Sequence, residues 1–353
     1  MTDKKIARKD ERPVARAGAF VVSLDFELHW GVRDHVTGKS SYQRNLWGAR
    51  KAIPKMLSLF QEFEIAATWA TVGLLFAQSK SEVATYLPAI KPAYENPRLD
   101  AYRERCGENE LDDPLHYAPN LIALIQNTPK QEIGCHTFSH YYCLEPGQSR
   151  EAFAADIQSA VLLARQRGIR LESIVFPRNQ VNFEYLSLLP QFGFTNYRGS
   201  ESGWAFIADP SRRKTIVRRA ARLADQYISV YPNKLSTWDE LEASDSLCNV
   251  RGSMFLRPFA PHAKIVDNIR LHRIGTCIRE AAVTGRVFHL WWHPHNFGAY
   301  TEENLQFLRS VLEIVAECRT AYRLRSLSMS EVAAEANTRR LQLQADPAAA
   351  ALV

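Results

Sequence analysis

The chain has 353 residues, of which 46% are hydrophobic and 23% charged, with a net charge of +6. This is ordinary globular composition, long enough for one large domain or two of usual size. The modest positive charge suits an anionic small substrate and argues against a dedicated nucleic-acid binder. The sequence has no signal-like or membrane-length apolar run and no Cys-x2-Cys pair, so we expect a soluble, cytoplasmic protein with reduced thiols.

The hydrophobic pattern alternates between strands and helices along the chain. Residues 1–17 are predicted to be a disordered arm, and 18–26 a buried first strand. Further strands are predicted at 65–72, 130–135, 171–176, 194–198 and 286–292, and helices at 49–64, 151–167, 183–191, 263–284 and 302–318. Irregular stretches near 81–120 and 200–262 are predicted insertions in a domain spanning 18–330, and 331–353 is a predicted C-terminal tail. This alternation favours a parallel α/β barrel or a doubly wound sheet.

Two histidines follow the strand predicted at 130–135. His136 and His140 are four residues apart, and on a helical turn this spacing places both imidazoles where they can bind one metal ion. The first strand ends in Asp25 and Glu27, which face the same side of a regular strand. One carboxylate can complete a divalent metal site while the other accepts a proton.

Polar residues also stand directly after two other predicted strands, namely Arg178 and His293. Because the carboxyl ends of parallel strands share one edge, we expect these side chains to meet the acids and the histidine pair. Hydrolysis of an amide needs a base for the water and an acid for the departing amine. Asp25 is the predicted base and His293 the predicted acid, with His295 as the alternative acid.

Four short motifs, taken in order along the chain, carry a resemblance to a known family. They are Ser23-Leu-Asp25-Phe-Glu27, His136-Thr-Phe-Ser-His140, Val175-Phe-Pro177-Arg178 and Leu290-Trp-Trp-His293-Pro294. This set resembles the NodB-homology polysaccharide deacetylases, carbohydrate esterase family 4, in a branch whose first motif is Asp-x-Glu. The resemblance implies an α/β fold, a distorted (β/α) barrel of seven or eight strands, that removes acetyl groups from sugars. It also implies a divalent metal, zinc first, with Co, Ni, Fe or Mn as alternatives.

The resemblance assigns a role to five of these residues. Glu27, His136 and His140 would bind the metal. Asp25 would deprotonate the attacking water, and His293 would protonate the leaving amine.

Further residues complete the predicted site. The family's third motif carries an arginine where this chain has a valine, so Arg178 is expected to orient Asp25 from a shifted position. Trp30 is a candidate to stack on a sugar ring, with plain packing as the alternative, and Arg257 is a candidate to bind a phosphate. His295 is a further candidate substrate contact.

The predicted function is metal-dependent removal of an N-acyl group, acetyl first, from an amino sugar. In the cytoplasm, the substrate would be a small nucleotide-linked or lipid-linked precursor of a surface polysaccharide. Two alternatives remain: an allantoinase-like hydrolase of linear or cyclic amides, and a catalytically inactive sugar-binding barrel.

Overall fold

A computed structural model of the protein describes residues 16–35, 42–208, 216–225, 227–228, 234–242 and 247–345. In these residues the centre is a curved, all-parallel sheet of nine strands. The strands are β1 Ala19–Phe26, β2 Ala67–Thr71, β3 Gln131–Cys135, β4 Ser173–Val175, β5 Asn196–Arg198, β6 Cys248–Asn249, β7 Met254–Phe255, β8 Val287–Trp292 and β9 Arg325–Leu327. Their order is β6-β5-β4-β3-β2-β1-β8-β7, and β9 pairs with β1.

The chain itself joins the two edges of this sheet. Only residues 250–253 separate the edge strands β6 and β7. Val250 N donates to Tyr197 O on one edge at 2.9 Å, and Ser253 N donates to His289 O on the other at 2.8 Å. The prediction of a distorted (β/α) barrel is therefore confirmed.

Helices surround the barrel. They are α1 Gln43–Glu62, α2 Lys80–Thr85, α3 Pro119–Gln126, α4 Arg150–Gln166, α5 Ile216–Ala224, α6 Trp238–Glu242, α7 Asp267–Thr284, α8 Thr301–Tyr322 and α9 Met329–Ala345. Ser149 caps α4 by accepting a hydrogen bond from Ala152 N, and Gly285 ends α7 with a left-handed φ of 68°. Within the described ranges, no helix is both long and apolar enough to cross a membrane.

Strand β1 lies at the middle of the sheet and carries the first acid. All eight of its residues are buried, because β2 and β8 pair with its two edges and its two faces are covered. Phe20, Val22, Leu24 and Phe26 alternate into the main core under the helices. The other face, with Ser23 and Asp25, therefore points into the barrel.

The C-terminal segment differs from the tail predicted over 331–353. Residues 329–345 form α9, which contacts α6, and Met329 and Val332 pack with Ala19 and Val21 in a second apolar cluster. Met329 N also donates to Thr68 Oγ1 at 2.9 Å. The helix thus covers the amino-terminal end of the barrel, opposite the strand ends that carry the acids.

One other predicted segment is revised in part, and the predicted amino-terminal arm is described only at its end. The stretch 200–262 holds α5 and α6 and also the barrel strands β6 and β7, which are too short to show an alternating pattern. Residues 1–15 of the predicted arm lie outside the described residues, while Arg16 stacks on Trp238 with 3.6 Å between its Cζ and the ring centroid.

Candidate active site

The histidine pair lies in a loop after β3, so the expected helical turn is wrong. Thr137 and His140 have left-handed φ values of 61° and 57°, a conformation that costs on the order of 1–2 kcal/mol per non-glycine residue. The two imidazoles nevertheless lie side by side in an edge-to-face arrangement, with 5.0 Å between ring centroids.

Asp156 of α4 holds this loop in place. Its carboxylate accepts hydrogen bonds from Phe138 N at 2.6 Å, from Ser139 N at 3.1 Å and from the Ser139 hydroxyl. Asp156 is completely buried, and burial raises its pKa to about 6 against the opposing effect of these donors. The motif His136-Thr-Phe-Ser-His140 is therefore positioned by an acid that belongs to the following helix.

Glu27 reaches both histidines from the end of β1. Its Oε2 lies 3.0 Å from His140 Nε2 and 3.3 Å from His136 Nε2, and one ligand atom from each of the three residues lies within 4.8 Å of the others. Gly31 passes so close to Glu27 that an added Cβ would sit 1.9 Å from the Glu27 Cδ. A side chain at position 31 would therefore displace this carboxylate.

These three side chains fit a divalent transition metal. Two ligands bonded at about 2.0–2.1 Å to one tetrahedral ion lie roughly 3.3 Å apart, close to the separations seen here. His136 Nδ1 donates to Val175 O at 2.8 Å, which leaves Nε2 as the ligand atom, and this buried Nε2 makes no hydrogen bond to any described residue. Burial lowers the pKa of His140 to about 3, so its imidazole is neutral, the form that binds metals.

Asp25 is held by an arginine that the sequence analysis did not select. Arg198, at the end of β5, donates to Asp25 Oδ1 at 2.7 Å and to Oδ2 at 2.8 Å. Its Nη1 also donates to Ser23 Oγ at 2.9 Å, and Ser23 Oγ lies 2.7 Å from His289 Nε2. His289 Nδ1 lies 3.0 Å from Val250 O and donates to it, so Nε2 accepts a hydrogen bond from the Ser23 hydroxyl. The Ser23 hydroxyl thus donates to His289 and accepts from Arg198.

The expected contact between Arg178 and Asp25 is absent from the described structure. Arg178 pairs with Asp34 and lies over the Tyr142 ring, with 4.3 Å between its Cζ and the ring centroid. Arg178 itself has a left-handed φ of 57° in a turn after β4. Arg198 takes the place next to Asp25 because β5 delivers it across the barrel interior to β1.

Both carboxylates are ionised despite complete burial. Burial raises the pKa of Asp25, but the charges of Arg198, His136 and His293 together outweigh it and lower the pKa below its usual value. Burial raises the pKa of Glu27, but the charge of His293 and the two loop imidazoles beside the carboxylate outweigh it and hold the pKa well below its usual value. Asp25 can therefore accept a proton, and Glu27 can bind a cation.

The two candidate acids occupy different environments. His293 Nε2 lies 3.7 Å from Asp25 Oδ2 and 3.7 Å from Glu27 Oε1, and a quarter of its side chain is exposed. His295 is 3% exposed, and burial together with the charge of His293 lowers its pKa to about 4. At neutral pH His295 is therefore an uncharged imidazole, without the acidic imidazolium proton that a general acid donates. This favours His293 as the acid.

A cleft of about 560 Å³ opens beside His293. Four arginines and three aromatic rings are among the residues that line it: Arg178, Arg218, Arg222, Arg257, Phe206, Phe255 and Trp291. Glu201, which also lines the cleft, is buried and pairs with Lys234 at 3.3 Å. The cleft therefore offers positive charge and apolar surface next to the carboxylates.

Two predicted substrate contacts lie outside this cleft, and one lies in its wall. Trp30 is 3% exposed and its Nε1 donates to His116 O at 3.0 Å, so it packs in the core and cannot stack on a sugar. His295 is equally buried and is not part of the cleft lining, although its Nε2 lies 3.9 Å from Glu27 Oε1. Arg257 lines the cleft, and within the described ranges its buried Nε has no hydrogen-bond partner.

The sequence carried one usable signal for the missed arginine. Arg198 closes a predicted strand, which is the criterion that selected Asp25 and His293. Ser23 and His289 carry no such signal, because a serine or a histidine inside an apolar strand has the same pattern as an ordinary core residue.

Comparison with solved structures shows which fold the chain has. No protein-family model and no curated protein matches the sequence. Among solved structures, the chain is similar to a "putative polysaccharide deacetylase from Mycobacterium smegmatis", with a TM-score of 0.59 and 15% identity over 93% of each chain.

Two further structures match more weakly. A family 4 carbohydrate esterase from Streptomyces lividans in complex with acetate has a TM-score of 0.39 and 8% identity over 89% of this chain and 94% of that one. A CE4 family pseudoenzyme from Bacillus anthracis has a TM-score of 0.41 and 10% identity over 90% of this chain and 66% of that one. The chain therefore has the fold of the mycobacterial protein.

Proposed function

We propose that the protein is a metal-dependent hydrolase of carbohydrate esterase family 4 type, with an Asp-x-Glu first motif, that removes an N-acetyl group from an amino sugar. The observation that carries the proposal is the convergence of Glu27, His136 and His140, whose ligand atoms lie within 4.8 Å of one another. Asp25 and His293 stand beside them as an ionised base and a partly exposed acid. The mycobacterial fold match supports the same assignment.

The chemistry follows from the positions of these groups. Glu27, His136 and His140 would hold a divalent ion, zinc first and Co, Ni, Fe or Mn as alternatives, which when bound would supply a Lewis acid for the acyl carbonyl and the water. Asp25 accepts a proton from the attacking water, and Arg198 fixes both carboxylate oxygens for that task. His293 donates a proton to the departing amine, and its Nε2 lies 3.7 Å from Asp25 Oδ2.

The basic cleft supports an anionic substrate. Arg218 and Arg257 line it with other arginines, and burial and the charges of Arg270 and Arg222 lower the pKa of Arg257. An anion placed there would relieve this crowding of positive charge. We therefore propose a phosphate-bearing amino sugar, nucleotide-linked or lipid-linked, as a cytoplasmic enzyme would meet it on the way to a surface polysaccharide.

The complete set of base, acid and candidate ligands supports an enzyme over an inactive sugar-binding barrel. A binding module has no need for an ionised buried Asp25, whose burial must be compensated by Arg198. It likewise has no need for two imidazoles directed at the same carboxylate.

Acetate release is the direct test. Zinc-loaded protein is incubated with N-acetylated amino sugars in free, nucleotide-linked and polymeric form, and acetate is measured. It is also incubated with allantoin as a cyclic amide, and the loss of allantoin is measured. We expect acetate from the phosphate-bearing sugars and none after treatment with a chelator. Turnover of allantoin alone would assign the amide-hydrolase alternative, and zinc-loaded protein that turns over nothing would favour the binding barrel.

A charge variant tests the substrate class. Arg257→Gln should raise KM for a phosphate-bearing sugar about tenfold or more, since a charge-assisted hydrogen bond contributes about 1.5–3 kcal/mol. KM for the free sugar should not change. Arg279→Gln, on the half-exposed surface of α7, is the matched control. Equal effects on both substrates would contradict an anion-binding role for the cleft.

A further inference from the structure

A second group of metal-ligand residues lies outside the catalytic site. His29 belongs to a short 3-10 turn, Leu28–Gly31, directly after β1. Glu104 and His116 come from the irregular stretch between α2 and α3. The chain therefore brings together ligand-type side chains from segments about 75 residues apart or more in sequence.

The three side chains meet closely. His29 Nε2 lies 3.3 Å from Glu104 Oε1, and the His29 and His116 ring centroids are 4.6 Å apart. Each residue offers one ligand atom, and the three atoms lie within 4.8 Å of one another. Two imidazoles and one carboxylate at this separation form a donor set typical of zinc.

His116 gives an independent indication of a ligand. The residue is 8% exposed, yet neither ring nitrogen makes an aligned hydrogen bond in the described structure. Its Nδ1 lies 2.8 Å from Asp113 Oδ2, which is the position of a carboxylate that orients a metal-binding imidazole. Its Nε2 has no hydrogen-bond partner in the part of the chain that the structure describes. A buried polar atom without a partner costs about 1–3 kcal/mol, and an ion on Nε2 would remove that cost.

A second set of candidate ligands shares the same histidine. Cys106 and Asp113 also place ligand atoms within 4.8 Å of one another and of His116. In that set Asp113 would have to be a ligand, yet its Oδ2 lies 2.8 Å from His116 Nδ1, where it orients the imidazole. The set with His29 leaves Asp113 in this orienting position, which favours it.

We propose that His29, Glu104 and His116 bind a second divalent ion, zinc by its ligand types, with Asp113 orienting His116. The ion would fasten the stretch between α2 and α3 to the turn that follows Glu27. Two hydrogen bonds already join these segments, from His29 N to Leu115 O at 3.3 Å and from Trp30 Nε1 to His116 O at 3.0 Å. The second ion is therefore structural, and the cleft beside His293 does not include its ligands.

Metal counting tests this site separately from the catalytic one. Full-length protein is loaded with excess ZnCl2, desalted and analysed by plasma mass spectrometry. We expect two zinc ions per chain in the wild type, one in His116→Ala, one in His136→Ala and none in the double variant. His272→Ala, which removes an exposed histidine on α7, should keep two. Zinc should also raise the melting temperature of His136→Ala but not that of the double variant.

The same zinc counts can overturn the proposal. A wild type with one ion, lost completely in His136→Ala, would show that the second site does not bind zinc. If His116→Ala does not fold, Glu104→Gln gives the same reading, because the Glu104 side chain is 31% exposed. Loss of the ion in Cys106→Ser but not in Glu104→Gln would overturn the ligand assignment. If one ion is present and survives His136→Ala but not His116→Ala, the second site stands while the proposed catalytic metal fails.

Discussion

Replacing Arg198 with glutamine would leave Asp25 buried without the guanidinium that neutralises it. Arg198 makes two charge-assisted hydrogen bonds to Asp25, at 2.7 and 2.8 Å, and its side chain is 1% exposed. Breaking a buried ion pair costs about 3–5 kcal/mol, which a domain stable by about 5–15 kcal/mol can tolerate. Because the base would also lose its fixed orientation, we expect kcat/KM at neutral pH to fall about 100-fold.

The pH profile separates this effect from a general loss of structure. Asp25 must be ionised to act as a base, and the charge of Arg198 opposes the effect of burial on its pKa. In Arg198→Gln the pKa of Asp25 rises, so activity should be lost at a higher pH on acidification than in the wild type. Arg198→Lys keeps the charge but not the two parallel bonds, so its kcat should fall while its acidic limb stays closer to the wild-type position.

The assay is acetate release from the best N-acetylated sugar, measured across pH, with zinc content determined for each variant. Arg178→Gln is the matched control, because Arg178 pairs with Asp34. Arg178→Gln should leave the low-pH side of the activity profile unchanged. Its KM can change, because Arg178 lines the cleft. An unshifted limb in Arg198→Gln, or the same shift in Arg178→Gln, would refute the assignment of Arg198 as the residue that holds the base.

Three further predictions concern other parts of the site. Asp25→Asn should keep its zinc and lose about 10²–10⁴-fold in kcat, as for a general base; loss of zinc would instead make Asp25 a ligand. His293→Ala should lower kcat by a similar factor and His295→Ala by much less, since the pKa of His295 is about 4; the reverse order would identify His295 as the acid. Asp156→Asn leaves a buried N–H unsatisfied and should cost about 1–3 kcal/mol by urea titration, with weaker zinc binding in a chelator competition. Burial raises the pKa of Asp156 from 3.8 to about 6, so the folded wild type gains stability relative to Asp156→Asn as the pH falls from about 6 to about 4, and a difference independent of pH would contradict this.

The sequence alone determined the class of fold and most of the candidate site. Alternating strands and helices predicted a parallel α/β barrel or a doubly wound sheet, and the family resemblance selected the barrel. Polar residues at the strand ends placed Asp25, Glu27, His136 and His293 at one edge. This prediction succeeds because parallel strands bring their carboxyl ends to the same side whatever the path between them. The prediction of a shared edge does not depend on the local conformation after each strand. Residues 136–140 form a loop where a helical turn was expected, and both histidines still reach Glu27.

Only the tertiary structure decided which residues support that site from a distance. Arg178 and Arg198 both follow strands, and their positions along the chain do not indicate which one reaches Asp25 across the barrel. The burial of Trp30 and the packing of α9 over the amino-terminal end of the barrel were likewise set by neighbours far away in sequence. The physical reason is that periodicity reports which face of an element is buried, whereas its partners depend on how the sheet curls and closes.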